Sequence, residues 1–493
     1  MNWIAPLFLS LLGAAPAADA PQTTDSRLVV ERFVAEPNLV TPTGIAVDHR
    51  GRVLVIESHT HFRPDGYPGP PADRIRMLED TDGDGRADRI STFFEGTRLT
   101  MNLAVYVDGS VYVATRNELF RLRDADGDGR ADQRTPIARL DTPGNYPHNG
   151  LSGFAFDASG DVYFGLGENL GAAYRLIGSD GTTLTGGGEG GNIYRCRPDG
   201  SGLRRLATGF WNPFHLAFDA FGQLFAVDND PDSRPPCRLL HVVPGGDYGY
   251  RFRNGRKGLH PFTAWNGELP GTLPMVAGTG EAPSGIVAYE SDGLPSDYRG
   301  QLLVTSWGDH RLDRFQLERR GASFTSRAVP FVTGDENFRP VGIAVAPDGS
   351  LYVSDWVDKS YTLHGMGRIW HVRAKQPLVQ SPTERPEVES PDEGDSPTAR
   401  AAALRQAGDA ASEEALLLAL HDVDPFIRQA AREGLRRVSD TPKLRALAAS
   451  DDAAVRLAGL LILRESTDAQ AARALPKLLA DADPEIRFAA VQW

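Results

Sequence analysis

Only two cysteines, Cys196 and Cys237, occur in 493 residues. Two thiols make no zinc framework, and neither stands in a Cys-x-x-Cys-His haem attachment site. Two readings of the pair stay open: a disulfide made in an oxidising compartment, or two buried thiols. Blocks of Lys and Arg are missing as well, and the formal net charge is -13. The counterion release that drives nucleic-acid binding then has no surface to act through, which excludes nucleic acid as a partner. The N-terminal apolar run from Trp3 to Leu12 is too short to anchor the chain across a bilayer. It ends in small residues, with candidate cleavage tripeptides closing at Ala17 and Ala20, and residues 1–20 read as a signal peptide although no Lys or Arg precedes the run. The expected location is the periplasm or the exterior.

Glycine and proline, by contrast, are plentiful, at 52 and 35 residues, beside 41% hydrophobic content. That density of turn formers describes many short strands, in a chain too long for one ordinary domain. A unit recurs in which a short apolar strand meets an Asp-Gly type turn and then a strand rich in Val, Tyr and Phe. Its copies are 42–55, 101–113, 151–164, 214–225, 284–289 with 301–306, and 341–353. Such units bury their faces only against one another, so the pattern predicts an all-β six-bladed propeller over residues 21–375. Strand 28–33 is expected to complete the last blade.

Residues 376–398 turn to Pro, Glu, Ser and Asp without periodicity, the composition of a solvated linker. Beyond it, 422–431, 451–458 and 481–490 repeat at a period of roughly 30, with Asp and Pro opening a helix and Arg and Ala following. Residues 399–493 are therefore expected to form an all-α, HEAT-like repeat domain. Its last copy stops at Trp493 partway through a helix, as an incomplete array would.

Two loops carry the sharpest chemical signal. Asp80, Asp82, Asp84 and Asp88 recur as Asp124, Asp126, Asp128 and Asp132, with Gly85 and Gly129 at the sixth loop position. Carboxylates at positions 1, 3, 5 and 9 around a glycine bend match the oxygen cage of Ca²⁺. Ser91 and Thr135 stand where a complete EF-hand has its bidentate Glu, so another ligand must close the shell. The alternative is a plain Asp/Gly hairpin, in which four carboxylates repel one another unless a cation neutralises them.

His148 precedes the third blade's first strand, where a propeller loop faces the central funnel and an imidazole is placed to act as a general base; an ordinary hydrogen-bonded histidine is the alternative. Glu57, His59 and His61 read as a metal cluster, a funnel lining or incidental loop residues. Trp307, Trp356 and Tyr361 read as sugar-stacking faces or as core aromatics between blades.

The segments around His148-Asn149-Gly150, 209–219, 282–285 with 298–304, and 339–349 resemble the soluble pyrroloquinoline-quinone (PQQ) sugar dehydrogenases over most of residues 28–373. The paired Asp-rich loops, the segment at Glu57–His61 and the segment 361–370 look like the planctomycete-type membrane-bound dehydrogenase family. That family joins such a propeller to HEAT repeats and often to a cytochrome c. The resemblance implies that His148 takes a proton from a sugar or other alcohol while hydride passes to PQQ. It further implies that Arg339 holds the quinone's charge, that Asn149 and Asn212 sit in the cofactor wall, and that Asp228 and Asp230 belong to a calcium loop beside the cofactor. A cytochrome c on another chain would accept the electrons, and the helical repeats would receive a protein partner. Two positions depart from the dehydrogenase pattern: Trp211 stands for the Arg before Asn212, and Pro147 for the Asp before His148. Losing that guanidinium removes a bidentate partner for a carboxylate. Two other readings fit six blades, a calcium-dependent lactonase and a non-catalytic, calcium-stabilised propeller that binds carbohydrate or protein.

Overall fold

The computed structural model describes residues 20–376, 396–408, 412–466 and 468–493. The expected signal peptide and linker fall outside the described residues except at their edges.

Six sheets, antiparallel except for one short parallel pair in the third (Ala207 with Gly246, Thr208 with Asp247), close into a ring. Their inner strands are Pro42–Val47, Thr100–Val105, Leu151–Phe156, Asn212–Phe218, Pro283–Tyr289 and Pro340–Val345, and each blade then runs outward strand by strand. The outer strand of the sixth blade is Leu28–Ala35, paired antiparallel with Arg368–Ala374, so Leu28 lies opposite Ala374 and the two ends of the ring are joined. Apolar clusters fill the seams between blades, as expected of units that cannot bury both faces alone.

Every inner strand carries a register shift near its start: Pro42/Ile45, Thr100/Asn102, Ser152/Ala155, Pro213/His215, Pro283/Ile286 and Pro340/Ile343. A bulge bends a strand and re-aims its side chains, and here six of them bend toward one axis. Glycine makes the close approach possible in four of the six. A Cβ on Gly44 would lie 2.9 Å from the Asn102 Cα, and one on Gly285 3.0 Å from the Val341 oxygen. Gly153 and Gly342 meet the next blade in the same way.

After the linker, seven helices follow among the described residues. Asp424, Asp452 and Asp483 cap three of them, each accepting a backbone N–H two residues on at 2.8 Å. One turn later Arg428, Arg456 and Arg487 fold back and donate to the carbonyls of Asp422 and Val423, Ser450 and Asp451, and Asp481 and Ala482. The sequence repeat is thus a repeated helix start, with Asp satisfying free N–H groups and Arg satisfying carbonyls of the preceding turn. The helices share one apolar core with the third and fourth blades. Phe426 stacks on His241 at 5.6 Å, and Gln429 donates to the Pro244 oxygen at 2.8 Å.

Cys196 and Cys237 are buried, unbonded thiols, which corrects the disulfide reading. Cys196 belongs to the core between the second and third blades, while Cys237 faces Glu281 on the other side of the fourth blade, with Sγ 3.8 Å from Oε2.

Candidate functional site

The funnel opens at the end of the ring where the inner strands begin and the second strands finish. A cavity of about 150 Å³ lies there, lined from all six blades, with Thr43, Thr100, Asn149, Asn212, Ser284 and Val341 at its base. Strain gathers at its mouth. Phe62, Asp232, Ala282 and Val357 all have positive φ, at 40°, 64°, 52° and 76°. For a β-branched residue such as Val357 that is a genuine outlier, held only where the surroundings over-determine it.

His148 sits in an aromatic collar. Its ring centroid lies 4.4 Å from Tyr361, 4.7 Å from His61, 5.3 Å from Phe62 and 5.5 Å from Tyr146. Burial pushes its pKa down to about 4. Burial and the neighbouring His148 bring His61 down to about 3. Both imidazoles are therefore neutral at physiological pH, the form in which a histidine accepts a proton. Tyr361 also stacks on Trp307 at 5.2 Å and 16°, so Trp307 and Tyr361 form a wall of the funnel rather than a seam between blades. Trp356 also lines the cavity.

His61 lines the funnel, but Glu57 and His59 lie beneath it in a buried network. His59 Nε2 is 3.2 Å from Glu57, its Nδ1 is 3.0 Å from the Tyr67 hydroxyl, and Arg74 and Arg76 close on the same carboxylate at 3.3 and 3.5 Å. Among the described residues the three form no metal group.

The opposite wall is acidic. Ligand atoms of Asp230, Cys237 and Glu281 lie within 4.8 Å of one another, and Asp232 lines the cavity beside them. Asp230 is fixed by backbone N–H groups of Asp232, Ser233 and Arg234 at 3.2, 3.0 and 2.9 Å. Burial, together with the charges of Asp230, Asp309 and Asp232, raises the Glu281 carboxyl. Such crowding favours a cation. Two residues of the lining carry a buried atom without a partner, Oδ1 of Asn212 and Oδ1 of Asn229. As amide oxygens both seek a donor or a cation.

Four of the expected residues gather at this site: His148, Asn149, Asn212 and Asp230. Asn212 donates to the His148 carbonyl at 3.2 Å, which ties the third and fourth blades together at the funnel, and Asn149 donates to the Glu168 carbonyl at 2.7 Å within the third blade. Two expectations need correction. Asp228 is wholly buried in an ion pair with Arg238 at 2.6 Å and also takes the N–H groups of Trp211 and Asn212, so its oxygens organise the wall and face no cation site. Arg339 stands behind Trp307, its guanidinium carbon 4.6 Å from the ring centroid, and donates to the carbonyls of Trp307 and Glu336. It buttresses an aromatic wall and does not line the cavity.

The eight Asp of the paired loops lie far along the blades, each set joining a third strand to an outer one. Oxygens of Asp80, Asp82 and Asp88, and of Asp124, Asp126 and Asp128, cluster within 4.8 Å. Asp84 and Asp132 fall outside those groups; Asp84 instead caps Arg86 and Asp132 caps Ala125.

Sequence reasoning missed Glu281, Asn229, Tyr146, Phe62 and Arg256. Glu281 and Asn229 stand next to motifs that were read, so a strict view of flanking polar residues would have found them. The other three come from loops without a pattern.

Residues 22–360 match the family model described as Domain of unknown function (DUF7133). No curated protein matches the sequence. Among solved structures, a Thermus thermophilus protein described as an oxidoreductase (glucose dehydrogenase) is 22% identical, covering 70% of this chain and 99% of its own, with a TM-score of 0.51. The calcium structure of a Trichoderma reesei carbohydrate-active enzyme of family AA12 is 15% identical over 72% and 98% of the two chains, TM-score 0.52. A PQQ-bound aldose sugar dehydrogenase from Streptomyces coelicolor is 20% identical over 72% and 99%, TM-score 0.49. At these identities the likeness establishes the fold alone.

Proposed function

The chain belongs to the family described as Domain of unknown function (DUF7133), and from that premise and the funnel's geometry we propose an exported, calcium-dependent sugar- or alcohol-oxidising propeller that uses PQQ. The observation that carries this reading is a neutral histidine, His148, held among aromatic faces across a cavity from an acidic, cation-seeking wall.

The two carboxylates of the group suit a calcium ion, and the Cys237 thiol between them, pushed up by burial, stays protonated and outside the shell. Asp230 and Glu281 supply hard carboxylate oxygens, and the unpartnered Oδ1 atoms of Asn212 and Asn229 are further oxygen donors in the same cavity. The fit to PQQ follows from the cation. Three lining carboxylates, Asp230, Asp232 and Glu281, would repel a tricarboxylate, and a divalent ion on that wall offsets most of their charge. Asn212 and the faces of Trp307 and Tyr361 would hold the quinone, and the guanidinium of Arg256, which lies over Trp211 and is paired with Asp232, would have to turn from that pair to reach it.

Bound PQQ would supply the two-electron acceptor. The chain's own residues do the rest. His148 Nδ1 or Nε2, unprotonated above about pH 4, accepts the proton of the substrate hydroxyl. The Asn212 amide fixes the loop that carries it. Phe62, Tyr146 and Tyr361 wall it from water, and the flat faces of Trp307 and Tyr361 suit the apolar face of a sugar ring. The paired Asp loops would bind calcium structurally, a HEAT-like reading of the helices would give a protein-docking array, and a cytochrome c would take the electrons onward.

A second reading, a non-catalytic calcium-stabilised carbohydrate-binding propeller, is favoured by Arg339, whose guanidinium is spent on Trp307. Dye reduction by calcium-reloaded protein with added PQQ, screened over sugars, separates the two. PQQ-dependent turnover lost in His148→Ala supports oxidation. Sugar binding without PQQ binding in folded, calcium-loaded protein overturns it in favour of the second.

A further inference from the structure

A second cavity, of about 680 Å³, lies between the outer part of the third blade, the loop 245–256 and the helices. Five guanidiniums line it, those of Arg205, Arg251, Arg253, Arg436 and Arg464, against two lining carboxylates, Glu189 and Glu465.

Local pairing leaves two of the five uncompensated. Arg251 pairs with Asp247 at 2.5 Å, and Arg436 with Glu433 at 2.8 Å and Glu465 at 3.6 Å. Arg205 reaches Glu189 at 3.8 Å. Among the described residues no carboxylate lies within 4.0 Å of Arg253 or Arg464. Arg253 donates from Nε to the Gly188 oxygen at 3.4 Å, and Arg464 from Nη1 to the Gln492 amide oxygen at 2.6 Å. Each guanidinium has five N–H donors, and one side-chain hydrogen bond apiece leaves donors to satisfy at a cavity that both residues line.

These two are also close enough to repel. Burial lowers the Arg464 pKa most; the charges of Arg251 and Arg253 lower it further, while Asp247 and Glu465 oppose them. Burial and Asp247 meanwhile raise the Glu465 carboxyl, weakening one of the two lining anions. A half-desolvated cation beside like charges is costly unless an anion joins it. The hydroxyl of Thr208, buried and without a partner, offers one more donor on the same wall.

We propose that this cleft is a binding site for a small oxyanion carrying two or more negative charges, held by Arg253 and Arg464 with Thr208 and Arg205 beside them. Fork-shaped guanidiniums recognise carboxylate and phosphate-like oxygens in pairs. Because the ligand bridges a propeller loop and the end of helix Ala453–Arg464, binding clamps the helical region onto the ring. The site is independent of the funnel and of the oxidation reading.

The test is calorimetric titration of the calcium-loaded chain with sulfate and, separately, with succinate. Saturable binding is expected, weakened by added NaCl and about tenfold or more weaker in Arg253→Gln and in Arg464→Gln. Sulfate alone points to a tetrahedral anion and succinate alone to a dicarboxylate, and either supports the site. Arg253 stands in the short 3-10 turn Phe252–Asn254, outside the helical region, and its variant keeps the test open should Arg464→Gln fail to fold. No saturable binding of either anion, or undiminished binding by folded Arg253→Gln, overturns the proposal.

Discussion

Arg256 lays its guanidinium over the indole of Trp211, 5.4 Å from the ring centroid, and closes on Asp232 at 2.5 Å. Where the dehydrogenase pattern has an arginine beside Asn212, this chain has an aromatic face that brings a guanidinium in from another loop. Arg256→Gln is therefore expected to weaken PQQ binding about tenfold, by loss of one charge-assisted contact, while calcium binding stays unchanged. Titration of the variant with each ligand in turn checks it.

The pH dependence follows from buried imidazoles. His148 and His215 are held at about 4, and His61 and His241 at about 3, by burial first in every case. Turnover that needs neutral His148 should be flat near neutrality and fall as pH drops through about 4. Stability falls earlier. Between an unfolded value near 6.5 and these folded values the unfolded chain binds protons that the folded one refuses, so these four histidines make acid destabilising across roughly pH 6.5 to 3. Asp355, raised to about 6 by burial, works in the opposite sense, as do the raised carboxyls of Glu281 and Glu465, while His364 and His371 are lowered by burial and add to the histidine effect. Urea midpoints at pH 7.5 and pH 5 measure the difference.

Much of this was legible beforehand because blade strands repeat a local pattern. Thr43-Gly44 and Ser152-Gly153 announce an inner strand and Asp-Gly turns announce its partner, and closure by Leu28–Ala35 follows from ring topology. His148 was placed by its position before a regular blade strand, and Asn149 and Asn212 by resemblance alone; all three line the cavity. Arg339 and Asp228 were misplaced for a common reason: a charged residue's position along a strand does not say which neighbour consumes its hydrogen bonds. Trp307 takes one and Arg238 the other. Phe62, Tyr146 and Arg256 come from long connections whose path is set by tertiary packing, which leaves no period to read.

Removing the cation should abolish quinone binding before it unfolds the protein. Asp230→Asn and Glu281→Gln should each lower calcium affinity at the funnel, and because the Glu281 carboxyl is raised, affinity should also decline as pH falls through its titration. Calcium titrations of both variants, each followed by PQQ, check the order.

Chelation at the outer loops should act on stability alone. Asp82→Ala and Asp126→Ala remove one oxygen donor from each cluster, and the calcium-induced rise in Tm should shrink with each while turnover persists. Scanning calorimetry with and without calcium measures it.

Arg238 and Asp228 make the most consequential buried pair. Arg238 is fully buried, donates to Tyr248, Trp265 and Gly209 carbonyls, and lies 3.6 Å over the Trp265 ring. Asp228→Ala leaves that guanidinium unpaired, and a loss of about 3–5 kcal/mol is expected, readable from urea denaturation.

The pairing of Leu28 with Ala374 also sets a timetable. Leu28–Ala35 is made before any inner strand and finds its partner last, because the strand it needs is the final one of the ring. Until Arg368–Ala374 has been made, Leu28–Ala35 and Leu351–Asp355 both lack the strand that lies between them, and each open edge is a template for pairing with another chain. A holding factor during synthesis or transport, or a chain long enough to shield those edges, would decide how much of the protein reaches its closed state.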